Sequence, residues 1–435
     1  MGQSCFQKAI FKGFLKYTVQ DIRIESNNTV YRLERWQLPD GTYATGQLPK
    51  DVQGHYGVEA KAWALKLHYE CRVPEPLLLQ ILRSIGVLIS AGQLNRMLIE
   101  NKEPFHQEKV EILAAGIEAT GQIQVDDIGA RDQGKNAYTT VIGNALFAFF
   151  STSHSKSRVN FFQVLHGGKP QYLLNEDAWG YIFEQNPGSC LRHRLESVAS
   201  AAARGQKAWE EFLKQNGIES EGLVRLATEG ALFASLIEHG IPRDLRIHAD
   251  DAGQFAVFIN SLCWIHEERH YRKFQVFNSQ TEEVIANVRG QIWELYKGLK
   301  AYKEAPSESE KLRLEEEFDR LFQQTTSSAL LNERLALTYE KKERLLMVLS
   351  CSTTPLHNNA TETDGRSGVV IKKVSGGTRS DDGRDARDTF LSLTRTALKL
   401  KVNFLDYLRD RLSRSNKIPR LGDLIRAGGY QTAAP

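Results

Sequence analysis

Two stretches of β-forming residues, far apart in the chain, each end in a pair of aspartates. The first reads GQIQVDDIGAR and contains Asp126 and Asp127, and the second reads LRIHADD and contains Asp250 and Asp251. The residues before each pair predict strands that end at the aspartates. Two interpretations are open. Each aspartate begins a turn, as is common after a strand, or the carboxylates bind hard cations, which prefer oxygen ligands.

The segments around the first pair predict an α/β fold. GQIQVDDIGAR, AYTTVIGN and ALFAFFSTS read as three strands in succession, and a helix follows around SKSRVNFFQVLHG. Three strands, a helix and a later strand form the opening of an RNase H-like fold. We therefore predict an RNase H-like mixed-sheet catalytic core, with residues 119–275 as its first part and residues 349–412 as its final part.

Three further segments are assigned from their residue patterns. Residues 1–55 look β-rich, with a hairpin turn at Pro39-Asp40-Gly41-Thr42. Residues 276–348 predict an α-helical insertion, because apolar residues recur at helical spacing, as from Leu314 to Phe318. Residues 413–435 read as a polar tail.

Residues 56–118 predict a helical region that contains a helix-turn-helix. In PEPLLLQILRSIGVLISAGQLNRMLIE, Gly86 can take the turn and Ser90 is a natural N-cap for the second helix. Side chains that suit DNA contacts on that helix are Gln93, Asn95 and Arg96. The alternative is a helical hairpin that only packs against the rest of the protein.

A third carboxylate, Glu362, lies at the start of a predicted helix in PLHNNATE. Together with Asp126 and Asp250 it could hold two Mg²⁺ or Mn²⁺ ions about 4 Å apart. Such a pair activates a water or a 3′-hydroxyl and stabilises the leaving oxygen of an in-line displacement. Carboxylates suit this role because they stay ionised at neutral pH and offset the charge of the cations.

A second chemical motif gives a different function. His266-Glu267-Glu268-Arg269-His270 matches HExxH, in which two histidines on one helix face bind zinc and the glutamate acts as general base. The pattern is short, and no third zinc ligand is obvious at an expected distance. A zinc metalloprotease is therefore a minor alternative.

Basic and aromatic residues alternate over the same stretch. Arg269, Arg272 and Lys273 stand close to Trp264 and Tyr271 in the sequence. This pattern suits a nucleic-acid backbone and an unstacked base. The alternative is a solvated helix face.

Composition excludes some classes of protein. The five cysteines form no CxxC pair, which leaves a zinc ribbon unsupported and fits a reducing compartment. No stretch reaches the ~18 apolar residues of a membrane-spanning helix, so we expect a cytoplasmic protein with no membrane partner. The net charge is only +3, but residues 366–435 hold fifteen Lys and Arg against seven Asp, a local charge of +8 that suggests a basic surface.

The order of the motifs resembles one family. VDDIGAR, HADDAGQF, CWIHEERHYRKF, a helical insertion, HNNATETDGR and SGGTRSDDGRDARDTF follow one another. This order resembles the IS66 family of insertion-sequence transposases (TnpC-like). Those enzymes have a DDE triad on an RNase H-like core, with a helical insertion before the final Glu. The resemblance runs from about Gly54 to about Leu412.

The resemblance assigns roles by position. The catalytic and metal-binding triad falls on Asp126, Asp250 and Glu362. The positions of supporting motifs are Asp127, Asp251, Cys263, His266, Asn358 and Asn359. The family's arginine after the Glu falls on Arg366, so the candidate DNA contacts are Gln93, Asn95, Arg96, Arg269, Arg272, Lys273 and Arg366. The HExxH match then has a plainer explanation, because the family's Cys-x-x-His-x-x-Arg motif covers it.

The resemblance implies a transposase that cuts DNA at transposon ends and joins it to target DNA with Mg²⁺ or Mn²⁺. The expected partners are DNA, further copies of the chain and accessory proteins of the same element. Two departures favour an alternative, a decayed or truncated transposase that only binds DNA. Gly365 replaces an aliphatic residue, which weakens a helix by about 1 kcal/mol, and the family's coiled-coil and cysteine-bearing N-terminal region is missing.

Overall fold

A small hairpin and four helices come first in the computed structural model, which describes residues 10–49, 52, 54–168, 170–186, 201–274 and 279–432. Strands β1 (Arg35–Gln37) and β2 (Tyr43–Thr45) pair antiparallel across the expected turn. The helices are α1 (Val58–Leu65, continued by a π-helical turn, Lys66–Glu70), α2 (Glu75–Ser84), α3 (Ala91–Ile99) and α4 (Glu103–Thr120). Parts of the expected N-terminal segment, insertion and tail (1–9, 50, 51, 53, 276–278 and 433–435) lie outside the described residues.

The expectation of a β-rich segment over residues 1–55 is wrong beyond this hairpin. Residues 10–33 contain no strand, and apolar side chains such as Phe14 and Leu15 are almost fully exposed. A two-stranded ribbon is marginal in water unless a third strand or a helix covers it. Here the described part of the chain supplies neither, so the pairing ends after three residues on each strand.

Three antiparallel strands form one side of the central sheet. They are β3 (Gln122–Asp132), β4 (Lys135–Gly143) and β5 (Ala148–Ser153). The prediction that the first strand ends at Asp126 and Asp127 is wrong. Pairing with β4 continues past both aspartates to a tight turn at Gln133 and Gly134, where both residues have positive φ.

A subsidiary unit of helices and two strands separates β5 from the next strand of the central sheet. Its elements are α5 (Arg158–His166), β6 (Gln171–Leu174), α6 (Glu176–Glu184), β7 (Ala201–Arg204), α7 (Gln206–Gln215) and α8 (Glu221–Glu238). Strands β6 and β7 pair antiparallel in a sheet of their own.

Two parallel strands complete the central sheet. Strand β8 (Arg246–Ala249) pairs parallel with β3, and β9 (Ile259–Leu262) pairs parallel with β8. The order across the sheet is β5-β4-β3-β8-β9. The protein is therefore an α/β protein with a mixed five-stranded sheet, as expected.

The helices that follow β9 bury a second hydrophobic core. They are α9 (Trp264–Arg272), α10 (Ser279–Glu304), α11 (Glu308–Phe322), α12 (Ala329–Tyr339), α13 (Lys342–Leu345) and α14 (Met347–Ser350). Trp264 packs with Phe318 and Phe322 at its centre. Helices α10 to α14 coincide with the expected insertion.

The last four helices return to the main core. They are α15 (Asn359–Ser375), α16 (Asp381–Lys399), α17 (Phe404–Ser413) and α18 (Leu421–Thr432). Helices α15 and α16 contact the central sheet, and α17 and α18 pack on α1 and α4. The prediction of a polar tail after residue 413 is wrong, because Leu421 and Ile425 are fully buried in the main core. Four residues apart, they form one helical face. No helix in the described ranges is both long and apolar enough to cross a bilayer.

Helix α16 lies along β5 in a fixed register. The amide groups of Ala148, Phe150 and Thr152 donate to the side chains of Thr396, Ser392 and Asp388 at 3.1, 2.9 and 2.6 Å. The acceptors are four residues apart on a helix, about 6 Å, and the donors are two residues apart on a strand, about 6.7 Å. The two spacings match closely enough for three successive bonds.

Candidate active site

Asp126 and Asp250 lie beside each other on adjacent parallel strands. The last observed pair of β3 and β8 is Gln124 with His248. Asp126 and Asp250 each lie two residues beyond this pair, and the negative charge of Asp250 is close enough to Asp126 to raise the pKa of that carboxyl. Asp250 directly follows β8, and its Oδ1 accepts a hydrogen bond from the amide of Ala252 at 3.2 Å.

The second aspartate of each pair has protein partners instead. Asp127 accepts hydrogen bonds from Thr140 Oγ1 at 2.6 Å and Gln254 Nε2 at 3.0 Å. Asp251 forms ion pairs with Lys341 Nζ at 2.6 Å and Arg344 Nη1 at 3.1 Å. Asp127 and Asp251 therefore stabilise the surroundings of the site, whereas Asp126 and Asp250 lie near each other.

Glu362 reaches the same site from the first turn of α15. The fully buried Asn358, just before this helix, donates from Nδ2 to the backbone carbonyl of Val125 at 2.7 Å. Thr361 Oγ1 in turn donates to Asn358 Oδ1 at 2.6 Å. The helix is thus attached to β3 at the residue before Asp126. Asn359, the first residue of the helix, is exposed.

Gly365 has a packing role that sequence reasoning missed. A Cβ atom at Gly365 would lie 3.1 Å from Ile128 Cγ2, and one at Gly368 would lie 2.7 Å from Ile128 Cδ1. The two glycines are one helical turn apart, so they form a flat strip against β3. Ile128 shares its strand face with Asp126. The departure from the family pattern therefore brings α15 close to the strand that carries the first carboxylate.

Helix α15 is also held by a buried ion pair. Asp364 is 1% exposed, and its carboxylate lies 2.8 Å from Arg395 Nη2 and 2.7 Å from Lys399 Nζ, both on α16. Glu362 and Arg366 flank it on α15, and Arg366 is exposed. The helix therefore has one face fixed between β3 and α16 and another that presents Glu362 and Arg366.

The three carboxylates repel one another. Burial, and after it the negative charges of Asp250 and Glu362, together raise the pKa of Asp126 to about 6, while the hydrogen bond from the Asp127 amide opposes this rise. Two nitrogen-bearing side chains lie near Glu362 Oε1. The His266 Nε2 atom is 3.5 Å away, and the Nη2 atom of the positively charged Arg269 is 3.9 Å away. Burial lowers the pKa of His266, as does Arg269, while Glu362 and Asp250 oppose this.

The chemistry of these donors fits hard divalent cations. All three carboxylates offer only oxygen, and part of the rise in the pKa of Asp126, after the part due to burial, comes from like charges that a cation would offset. Among the described residues, however, no three His, Cys, Asp or Glu side chains are close enough together to enclose a metal ion. The ion-pair distances from Glu362 Oε1 to His266 and Arg269 mean that Glu362 already has partners within the protein.

The HExxH sequence does not have the arrangement of a zinc protease. Glu267, which would be the general base, is 4% exposed and pairs with Arg334 and with Lys341 Nζ at 3.2 Å. It also accepts a hydrogen bond from Thr338 Oγ1 at 2.6 Å. His266 faces Glu362. A base paired with two cations cannot take a proton from water at neutral pH without losing those pairs.

The aromatic side chains of α9 are not available for base stacking, so that part of the prediction is wrong. Trp264 and Tyr271 are 1% and 0% exposed, and the indole of Trp264 donates to the carbonyl of Leu345 at 2.9 Å. The two aromatic residues that suggested nucleic-acid binding instead form part of the second hydrophobic core. Arg272 and Lys273 are exposed, whereas Arg269 is partly buried beside Glu362.

The remaining expected site residues lie at two other places. Ser90 caps α3 with Gln93 in a capping box, and the Gln93 Oε1 also accepts a hydrogen bond from Tyr56. Asn95 and Arg96 are exposed, with Asn95 donating to Glu75 on α2 at 3.2 Å. Cys263 is buried between β9 and α9, and burial raises the pKa of its thiol.

Sequence reasoning missed several residues that hold the site in place. Gln254, Thr140, Lys341 and Arg344 all contact an aspartate of the two pairs. Gln254 stands in the ADDAGQF stretch, which was a usable signal. Lys341 and Arg344 come from a helical segment about ninety residues later, and nothing local in the sequence marks them.

The fold and the site define an α/β protein in which three acidic residues lie near one another: Asp126 on β3, Asp250 just after the adjacent parallel strand β8, and Glu362 on α15. A family model described as "Transposase IS66 family" matches residues 253–386, a stretch that includes His266, Asn358 and Glu362. The chain is also 37% identical over 303 residues to the "Uncharacterized protein y4jO" of Sinorhizobium fredii, which covers 69% of this chain and 94% of that protein. The chain belongs to the IS66 transposase family, and this membership implies DNA binding.

Proposed function

We propose that the chain is a DDE transposase that cuts DNA at transposon ends and transfers the ends into target DNA. One observation carries the proposal: the helix that bears Glu362 is attached to β3 beside Asp126 by the hydrogen bond from Asn358 to Val125, and the charges of both Asp250 and Glu362 act on Asp126 there, so that carboxylates from three separate elements lie near one another. The sheet order β5-β4-β3-β8-β9, antiparallel then parallel, supports an RNase H-like core. The division of the chain into this core, an insertion at 276–348 and a DNA-binding region at 56–118 is part of the proposal.

In this proposal, Asp126, Asp250 and Glu362 hold two Mg²⁺ or Mn²⁺ ions. Bound there, the ions would make a water or a 3′-hydroxyl nucleophilic and offset charge on the leaving oxygen. The protein's part is to keep the three carboxylates together despite their repulsion. Asn358 does so at Val125, and the flat strip of Gly365 and Gly368 does so at Ile128.

The positive side chains near Glu362 suit the phosphate backbone of DNA. Arg269 lies 3.9 Å from Glu362, and Arg272, Lys273 and Arg366 are exposed on the two helices that flank it. Asn95 and Arg96 on α3 are exposed in the proposed helix-turn-helix. Binding through such phosphate contacts weakens steeply with salt. We also propose that further copies of the chain and accessory proteins of the same element take part.

The test is cleavage of DNA that carries the transposon ends, in Mg²⁺, by the wild type and by Glu362→Gln. The substitution removes a ligand charge and keeps the side-chain shape, so cleavage should fall by at least about a hundredfold. Glu316→Gln is the matched control, because Glu316 is exposed in the insertion. Unchanged cleavage by Glu362→Gln would contradict the proposal. Salt-sensitive DNA binding without cleavage by the wild type would instead favour a decayed transposase that only binds DNA.

A further inference from the structure

The loop that carries Asp250 is held by the helical insertion. Asp251 Oδ2 lies 2.6 Å from Lys341 Nζ, and Asp251 Oδ1 lies 3.1 Å from Arg344 Nη1. Both cations belong to the short segment where α12 ends and α13 begins. Each carboxylate oxygen of Asp251 therefore has its own partner, which fixes the orientation of the residue next to Asp250.

The same two cations are anchored at their other contacts. Lys341 Nζ also lies 3.2 Å from Oε2 of the buried Glu267 on α9. Arg344 Nε donates to Asn260 Oδ1 on β9 at 2.8 Å. The lysine side chain is only 15% exposed. The cations thus connect the Asp250 loop to two elements that are already fixed in the fold.

Asp250 depends on such support because it lies just past the end of its strand. The last ladder bond on this side runs from the Cys263 amide to the carbonyl of Ala249 at 3.0 Å. Beyond it, residues 250–252 are held by the bond from the Ala252 amide to Asp250 itself and by the contacts of Asp251. Further along the loop, Arg158 Nη2 donates to the carbonyl of Gly253 at 2.9 Å and Gln254 donates to Asp127 at 3.0 Å. Losing the Asp251 contacts would therefore loosen the loop at its Asp250 end.

We propose that Lys341 and Arg344 are positioning residues that hold Asp250 opposite Asp126, so that the insertion directly supports the metal site. The proposal rests on the proposed function of the three carboxylates. It predicts that removing the charge of Lys341 weakens metal binding, which is the opposite of what simple electrostatics predicts. Lys341→Met removes a positive charge near Asp250, which by charge alone would tighten cation binding. Loss of position weakens it instead.

The experiment compares Lys341→Met with Lys342→Met in the full chain. Lys342 is the next residue and pairs with Asp319 inside the insertion at 2.6 Å, so it is a matched control. Mn²⁺ binding to the protein without DNA is measured by electron paramagnetic resonance. We expect Lys341→Met to weaken binding by about ten- to a hundredfold, the range seen when outer partners of metal ligands are removed. Lys342→Met should bind as the wild type does, and Lys341→Arg should keep most of the affinity.

Hydrogen–deuterium exchange of residues 246–256, without metal, gives an independent reading. It should rise in Lys341→Met and in Arg344→Gln and stay unchanged in Lys342→Met. Arg344→Gln keeps the pair of Lys341 with Glu267, so it serves if Lys341→Met folds poorly. Equal or tighter Mn²⁺ binding by Lys341→Met, or unchanged exchange in both variants, would overturn the inference. Equal Mn²⁺ binding by the wild type and Asp250→Asn would instead overturn the proposed metal site, and the exchange data would still decide whether the loop is held.

Discussion

The sheet-centred region and the helical insertion place their charges differently. Around the sheet, charges are buried: Asp364 is 1% exposed between two cations, and Asp126 lies among other carboxylates. On the outer surface of the insertion, pairs such as Glu310 with Arg313 are one helical turn apart, and their side chains are 33% and 52% exposed. Buried charges carry large energies of either sign, whereas exposed pairs carry little. The insertion also has buried charges, but they lie where it meets α9, as in the pairs of Arg334 and Lys341 with Glu267. The contrast is therefore between the sheet-centred region and the outer surface of the insertion.

The largest effect should come from removing the buried anion that holds α15. Asp364→Ala leaves Arg395 and Lys399 without their shared partner, so we expect the free energy of unfolding to fall by about 3–5 kcal/mol. Chemical denaturation measures it. Glu310→Ala in the insertion is the comparison and should cost less than about 1 kcal/mol. Equal losses in the two variants would remove the contrast between the regions.

Replacing Asp126 should change the free energy of unfolding by less and in the opposite direction, as a gain in stability. Its pKa of about 6 lies above the usual 3.8, so between these values the folded state binds more protons than the unfolded state. Stability without metal therefore falls as the pH rises through this window. Asp126→Asn removes the penalty and should stabilise the protein at pH 7 by about 1–2 kcal/mol, with no gain below about pH 4. Cleavage should be lost.

The control for this substitution is the neighbouring aspartate. Asp127→Asn disturbs the hydrogen bonds from Thr140 and Gln254, so it should destabilise the protein. Thermal unfolding at several pH values distinguishes the two variants. A loss of stability in Asp126→Asn at pH 7 would show that Asp126 is not strained by its neighbours.

The smallest effect compares two helical glycines. A Cβ at Gly290 on α10 meets nothing within 4 Å, so Gly290→Ala should gain about 1 kcal/mol from helix propensity. Gly368→Ala places its Cβ 2.7 Å from Ile128 and should gain less or lose stability. Thermal melts of the two variants give the difference. A full gain at Gly368 would mean that α15 can move from β3 without cost.

The sequence was informative where short-range patterns decide the structure. The three successive strands, the Ser90 cap and the apolar stripe from Leu314 to Phe318 each reflect neighbouring residues, and the structure has strands, a cap and a helix at these places. The end of β3 was not predictable, because it depends on pairing with β4. Trp264 was misread for a similar reason, since its neighbours in the core lie more than fifty residues later.

In the candidate site, too, some features follow from neighbouring residues and others depend on residues far away in the sequence. The two aspartate pairs were visible in the sequence, but which member of each pair faces the site depends on Thr140, Gln254, Lys341 and Arg344. Judged from the sequence around it alone, Gly365 is a residue that lowers the stability of its helix. Its meaning changes once Ile128 is seen against it, because a glycine costs helix stability but permits close contact.

The three bonds from β5 to α16 also limit how copies of this protein can assemble. A strand from another chain can extend a sheet only where backbone amides on the outer side are free to pair. On β5 the amides of Ala148, Phe150 and Thr152 already donate to α16. Recruitment of a neighbouring molecule by strand addition is therefore closed off at β5, one of the two edges of the central sheet.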